Sequence, residues 1–421
     1  MVKRKTILVT LLLALIFCPS VRADETALFT TVAPDALIVL DLSGSMDMTP
    51  AGRGGYIAST QSCGYDVAYY PDSGTGHTKY CDTYDISPIP HWGDANCTGP
   101  YYKTSGTGHT TDCSRLAIAK RALFDVIDDN DSNTITKDDE TSLNVRLGYM
   151  RFYNCYSNDT GGSYSSGCNS LIKPIGTKFS YIYCNNATSC TATSSVSGSI
   201  SGEAAVGGTP LATALHEAKL YYDVQKAADS ARACRQKFVI LITDGADTFA
   251  CGGSGTDEQT DQYKRRRESV LKAKALADAG YKVFVVGFGG AMPHWDRNTL
   301  NWMAYFGDTD NPLVANSGDT NAYNPAAVAS CAASPTCTHV VSPDESHSYA
   351  CVTHDTDPTP LHDPGETNLS GYAFFASSSS ELKEALLRAI DVIREATYSF
   401  SQASVASSRL MDENYLYEGS F

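Results

Sequence analysis

A chain of 421 residues carrying 47 acidic against 32 basic side chains, net charge −15, argues against nucleic acid as a partner, because phosphate binding needs basic stripes. Fourteen cysteines place it in an oxidising compartment rather than a reduced cytosol. The length allows two domains, whereas the order of elements reads as one domain over 24–399, enlarged by insertions.

Met1–Ala23 is a targeting segment: Lys3, Arg4 and Lys5 precede the apolar stretch Ile7–Cys18, and Val21-Arg22-Ala23 is a small-residue cleavage site. The stretch is too short to span a bilayer comfortably. Phe17 is too bulky for lipid attachment at Cys18, so cleavage after Ala23 and export are expected, with no transmembrane segment in the mature chain. Loss of Cys18 leaves an odd number of cysteines, so at least one is free or intermolecular.

Leu37–Leu40 is the short apolar run of a fully buried strand. It ends in Asp41-Leu42-Ser43-Gly44-Ser45, which sets Asp41, Ser43 and Ser45 at a strand's carboxyl end, the edge where open α/β sheets bind ligands. Three hard oxygens on one tight loop suit Mg²⁺ better than zinc or copper.

An insertion over 47–113 follows, rich in Tyr, Gly, Asp and Cys. It holds an internal repeat: Tyr69-Tyr70 with Ser73-Gly74-Thr75-Gly76-His77-Thr78 returns as Tyr101-Tyr102 with Ser105-Gly106-Thr107-Gly108-His109-Thr110. Two copies suggest duplicated hairpins, each with a leading cysteine, and so the bridges Cys63–Cys81 and Cys97–Cys113. The insertion leaves from the Asp41 end of its strand and should flank that site.

Ser114–Asp128 has helical spacing and runs into an EF-hand-like loop, 128–139. Asp128, Asn130, Ser132 and Thr134 take positions one, three, five and seven, and Asp139 the twelfth. Asn133 replaces the turn glycine, which its tolerance of the left-handed region allows, and Asp139 replaces the longer Glu, which should weaken Ca²⁺ binding. A calcium loop and a solvated acidic linker are the two readings. Asn144–Tyr153 reads as a strand, and 154–206 as a second insertion, an elaborated hairpin with a Cys184–Cys190 bridge.

Gly207-Gly208-Thr209-Pro210 opens a helix over Thr209–Asp223, and Lys237–Gly245 is another buried strand, ending in Asp244. Taken singly, these are a helix-capping threonine and a strand-end acid. Together, Asp41, Ser43, Ser45, Thr209 and Asp244 resemble the metal-ion-dependent adhesion site of a von Willebrand factor A domain, in order and strand context. The resemblance implies an α/β fold, a Rossmann-like doubly wound, mostly parallel sheet. It also implies Mg²⁺ (or Mn²⁺ or Ca²⁺) at those five residues and linkage between the site and the last helix.

Gln262–Ala279 reads as a helix whose basic start, Lys264–Arg267, is a solvated face; Lys282–Gly289 is a strand and Arg297–Phe306 a helix. A third insertion, 307–370, should lie toward the edge opposite the metal site. Gly371–Ser377 is the last strand and Ser379–Thr397 the closing amphipathic helix. The tail 400–421 reads as the opening strand of a further domain. With the export signal and the Tyr/Cys-rich insertion, it makes the chain similar to the amino-terminal region of PilY-family type IV pilus tip-associated adhesins.

Two carboxylates and three neutral hydroxyls leave a bound ion electrophilic and able to take a carboxylate from a partner. The expected function is an exported, metal-dependent adhesion or binding module in type IV pilus assembly or at the pilus tip, located in the periplasm, at the cell surface or on the pilus. It would engage an acidic group of a protein or surface, with minor pilins as candidate partners. The alternatives are a secreted A-domain protein unrelated to pili and, ranked below it, an enzyme or chelatase-type subunit. The sequence has no G-x-x-x-x-G-K-[ST], H-E-x-x-H or G-x-S-x-G motif, so no enzyme is expected.

Overall fold

Asp35–Asp41 is buried along its whole length and forms β1, the strand around which the rest assembles. The computed structural model describes residues 32–47, 55–57, 68–71, 79–82, 115–152, 171–192, 194–255, 262–289, 292, 294–327, 329–332, 337–341, 349–354 and 363–409. Five more strands complete the central sheet: β2 (Arg146–Phe152), β3 (Leu171–Lys173), β4 (Lys237–Thr243), β5 (Tyr281–Phe288) and β6 (Phe374–Ala376). Their spatial order is β6-β5-β4-β1-β2-β3, and every pairing is parallel except β2 with β3. Chain order therefore reverses between β1 and β4, which pair from Asp35 with Lys237 to Leu40 with Ile242.

Alternation along β1 builds two cores. Ala36, Ile38 and Leu40 pack with the apolar stripes of α1 (Arg115–Ile127) and the last helix. Leu37 and Val39 face α4 (Leu211–Ala228), α5 (Gln262–Asp278) and α6 (His294–Phe306). A strand covered on both faces must be apolar throughout, which is why β1, β4 and β5 are continuous apolar runs rather than alternating ones. Between α1 and α4 lie two short helices, α2 (Lys137–Leu143) and α3 (Phe179–Cys184). The last helix, α7, spans Ser379–Arg409 and buries Leu382, Leu386, Ile390 and Ile393. The sheet belongs to a unit of residues 33–396; residues 397–409 fall in a second unit.

Several expectations need correction. The segment 400–409, read as the start of a strand, continues α7: it holds no glycine or proline that would stop a helix. The helix expected from Thr209 starts at Leu211, with Pro210 as its cap residue. Arg265, Arg266 and Arg267 are buried rather than solvated, and Arg266 makes two bonds to Asp363, 2.8 Å from Nε and 2.5 Å from Nη2. That pair ties the third insertion to α5. The same insertion does not keep to the edge away from Asp244: a disulfide joins its Cys331 to Cys251, on the loop that follows β4. The second insertion is only partly a hairpin. β3 returns antiparallel along β2, but Phe179–Cys184 is helical.

In the first insertion, strands 68–71 and 79–82 pair antiparallel around the first repeat copy, with 55–57 beside them. The second copy lies outside the described residues. No helix among the described residues is long and apolar enough to cross a membrane.

Candidate metal centre

β1 and β4 deliver their terminal acids to the same end of the sheet, where the strand order reverses. There, Asp41 and Ser43 are buried and Ser45 partly so, and the Asp244 side chain is fully enclosed. Asp41 Oδ1 accepts the Ser43 N–H at 2.8 Å, which closes the turn after β1. Its Oδ2 accepts the Thr243 hydroxyl from the neighbouring strand at 2.7 Å. The Ser43 and Ser45 hydroxyls lie 3.0 Å apart, and Ser45 Oγ donates to Asp244 Oδ1 at 2.8 Å. Arg115, the first residue of α1, donates from Nη1 to Asp244 Oδ2 at 2.6 Å.

The Thr209 turn is docked on this loop through its backbone. Gly44 N–H donates to Gly207 O at 2.7 Å and Val206 N–H to Leu42 O at 2.6 Å. Gly207 has φ 79, which favours glycine, and a Cβ on Gly208 would fall 2.5 Å from Gly255 O. Thr209 is buried; its N–H donates to Thr248 Oγ1 at 2.8 Å and its carbonyl accepts the Thr248 N–H at 2.8 Å. Pro210 makes no side-chain cap bond, so Asp247 takes the capping role: Oδ2 accepts the Ala212 N–H at 2.6 Å, and Oδ1 the Phe249 and Ala250 N–H groups. Burial pushes the Asp247 carboxyl up to about 6 against those bonds.

The electrostatics fit a cation. Burial first, then the charge of Asp244, pushes Asp41 up to about 7, against the bonds from Thr243 and Ser43. A divalent ion would relieve that penalty. The side chains brought together are carboxylates and hydroxyls, a hard-oxygen set suited to Mg²⁺, Mn²⁺ or Ca²⁺. Sequence reasoning missed Thr243, Arg115, Asp247 and Thr248. The D-G-A-D-T run after β4 carried a signal for the last two; nothing local marked Arg115.

The 128–139 loop folds as a helix–loop–helix, with α1 ending at Ile127 and α2 starting at Lys137. Asp128 and Asp139 are buried and turned inward. Asp128 accepts the Ser132 N–H at 3.2 Å and the Asn133 N–H at 2.7 Å; Asp139 accepts the Asn130 N–H at 3.2 Å and the Thr136 N–H at 2.6 Å. Ser132 Oγ reaches Asp128 Oδ1 at 3.2 Å and the Thr134 carbonyl at 3.0 Å. Asn133 has φ 60, the left-handed turn that position six requires. Thr134–Ile135 pairs with Cys190–Thr191.

Cys184 and Cys190 form a disulfide. Cys63, Cys97 and Cys113 lie outside the described residues, and Cys81 lies on strand 79–82. Cys251, Cys331 and Glu268 also cluster, but the two sulfurs are consumed by their disulfide. Cys234 is a free, exposed thiol.

No protein-family model and no curated protein matches the chain. Among solved structures, it is similar to a point mutant of the PilB minor pilin from Streptococcus sanguinis, at 12% identity over 89% of this chain and 63% of that one, TM-score 0.40. It is similar to the pilus adhesin SpaC from Lactobacillus rhamnosus GG, at 13% identity over 87% and 31%, TM-score 0.37. The manganese-loaded TRAP protein of Plasmodium vivax matches at 13% identity over 64% and 63%, TM-score 0.28. The chain spans less than two thirds of the length of each of these three proteins.

Proposed function

We propose that this protein is an exported, divalent-cation-dependent adhesion module built as a doubly wound von Willebrand factor A domain. It would bind an acidic group of a protein partner or surface. One observation carries the proposal: Ser43, Ser45 and Asp244 form a hydrogen-bonded chain beside buried Asp41 where the strand order reverses. Asp41, Ser43, Ser45, Thr209 and Asp244 would hold the ion. A Mg²⁺ held there supplies an open coordination position for a partner's carboxylate. Asp41 and Asp244 balance its charge, Ser43 and Ser45 add no charge of their own, and the Gly207–Gly208 turn lets the Thr209 loop approach closely.

Binding rather than catalysis is the proposed role. The pilus context rests on the sequence resemblance to PilY-family proteins, which makes minor pilins the candidate partners. Surface filaments sheared from cells with and without the major pilin test it. Recovery of the mature chain in the sheared fraction only when pilin is present supports the pilus role. Equal release from both strains leaves a secreted binding module unrelated to pili. The 128–139 loop is proposed as a second, calcium site, with Asp128, Asn130, Ser132, the Thr134 carbonyl and Asp139 as its ligands.

A further inference from the structure

We propose that Arg115 is a tethered cation that competes with the divalent ion for Asp244 and so sets the metal affinity of the site. This rests on the metal-site reading above. The Arg115 side chain is 7% exposed and that of Asp244 0%, so their contact of 2.6 Å is shielded from water and salt. Both oxygens of Asp244 are engaged, one by the Ser45 hydroxyl and the other by the Arg115 guanidinium. The guanidinium also lies against the backbone that leaves β5: a Cβ added to Gly289 would come 3.2 Å from its Cζ. Its place is therefore shaped by the ends of β4 and β5 and is not a chance surface contact.

Asp41 draws its bonds from the Ser43 N–H and the Thr243 hydroxyl. With both acids ionised to hold an ion, the site carries two negative charges, and the guanidinium adds one positive charge on the Asp244 side. A divalent ion beside Ser43 and Ser45 would stand within a few ångström of that guanidinium, where like charges repel strongly in a shielded site. Binding must displace Arg115 from Asp244 or proceed against it, and either course weakens the ion's hold. Arg115 opens α1, so its side chain can withdraw by rotation about its own bonds while the helix stays in place. The side chain acts on the ion through Asp244 and is a positioning residue, not a ligand.

The test titrates Mg²⁺ into the full chain, stripped of metal, by calorimetry. An Asp41→Ala variant identifies the heat that belongs to this site rather than to the 128–139 loop. Arg115→Met and Arg115→Gln should each bind at least about tenfold tighter than the unsubstituted chain, and Arg115→Lys, which keeps the charge, should stay within about threefold of it. Melting supplies a second readout. Without metal, the Met and Gln variants should melt below the unsubstituted chain, because Asp244 is left buried without a counter-charge. Magnesium should raise their melting temperature more than it raises that of the unsubstituted chain. Gln keeps a polar amide in the buried site, so it carries the test if the Met variant does not fold. Unchanged or weaker binding by the neutral variants, alongside measurable binding by the unsubstituted chain, would overturn the role of Arg115 alone. No binding by any of these proteins would overturn the metal site and this inference with it.

Discussion

Asp41→Asn should make the metal-free protein less sensitive to alkali while abolishing magnesium binding at the Asp41 site. Asp41 sits fully buried beside Asp244, and its carboxyl is pushed up from 3.8 to about 7. A folded-state value above the unfolded one means that the native protein binds this proton more tightly. The resulting stability is present at low pH and is lost as pH rises through about 7. Between about pH 6 and about pH 8 the loss from this one group is on the order of 1 kcal/mol. Asparagine cannot ionise, and the geometry accepts it. Its Oδ1 keeps the Ser43 N–H, and its amide can donate to Thr243 Oγ1, whose own proton can turn fully to Gly245 O, now 3.3 Å away. Urea unfolding in chelator should show the difference between variant and unsubstituted chain shifting toward the variant by on the order of 1 kcal/mol over that range. Magnesium at a hundredfold excess over the dissociation constant of this site should stabilise the unsubstituted chain by about 2.7 kcal/mol more than the variant, which keeps only the 128–139 loop. Parallel pH profiles in chelator, or equal magnesium gains, would refute the electrostatic account of the site.

Replacing Cys251 and Cys331 by serine opens a link across 80 residues and should cost about 4 kcal/mol in urea unfolding, mostly by freeing the unfolded chain. Asp229 is raised by burial but lowered more by its bonds from Lys237 and the Ala231 N–H and by Arg235, which hold it at about 2. Its contribution, about 2 kcal/mol, is present above about pH 4 and lost as pH falls toward about 2. An acid titration of the unfolding free energy should show that loss in the native protein and its absence in Asp229→Asn. In the 128–139 loop, calcium binding followed by calorimetry should be present in the native chain and lost in Asp128→Ala.

The sheet was legible because strands covered on both faces must be apolar runs, and 37–40, 238–242 and 283–286 are such runs. Asp41, Ser43, Ser45 and Asp244 were legible because strand ends in an α/β sheet place their next residues at one edge. The helix–loop–helix over 128–139 was legible from spacing alone, since a twelve-residue pattern between two helical stretches is a local signal. What stayed hidden is non-local. Arg266 read as surface because a run of four cations is usually solvated, and its partner Asp363 lies 97 residues away. Cys331 gave no clue to Cys251, since one cysteine among several on a long insertion does not select its partner. Arg115 looked like the unremarked start of a helix until folding brought it to Asp244. The continuation of α7 to Arg409 was missed because Ser, Ala and Val in alternation favour neither a helix nor a strand decisively.

Asp41, Ser43, Ser45, Thr209 and Asp244 are proposed to hold one divalent ion. Anomalous scattering from crystals of the chain grown with manganese would locate it. The expected result is a peak in direct contact with the Ser43 and Ser45 hydroxyls, absent from crystals of Asp41→Ala. Manganese found only at the 128–139 loop, with the Ser45 hydroxyl still on Asp244 and no density beside Ser43, would contradict it.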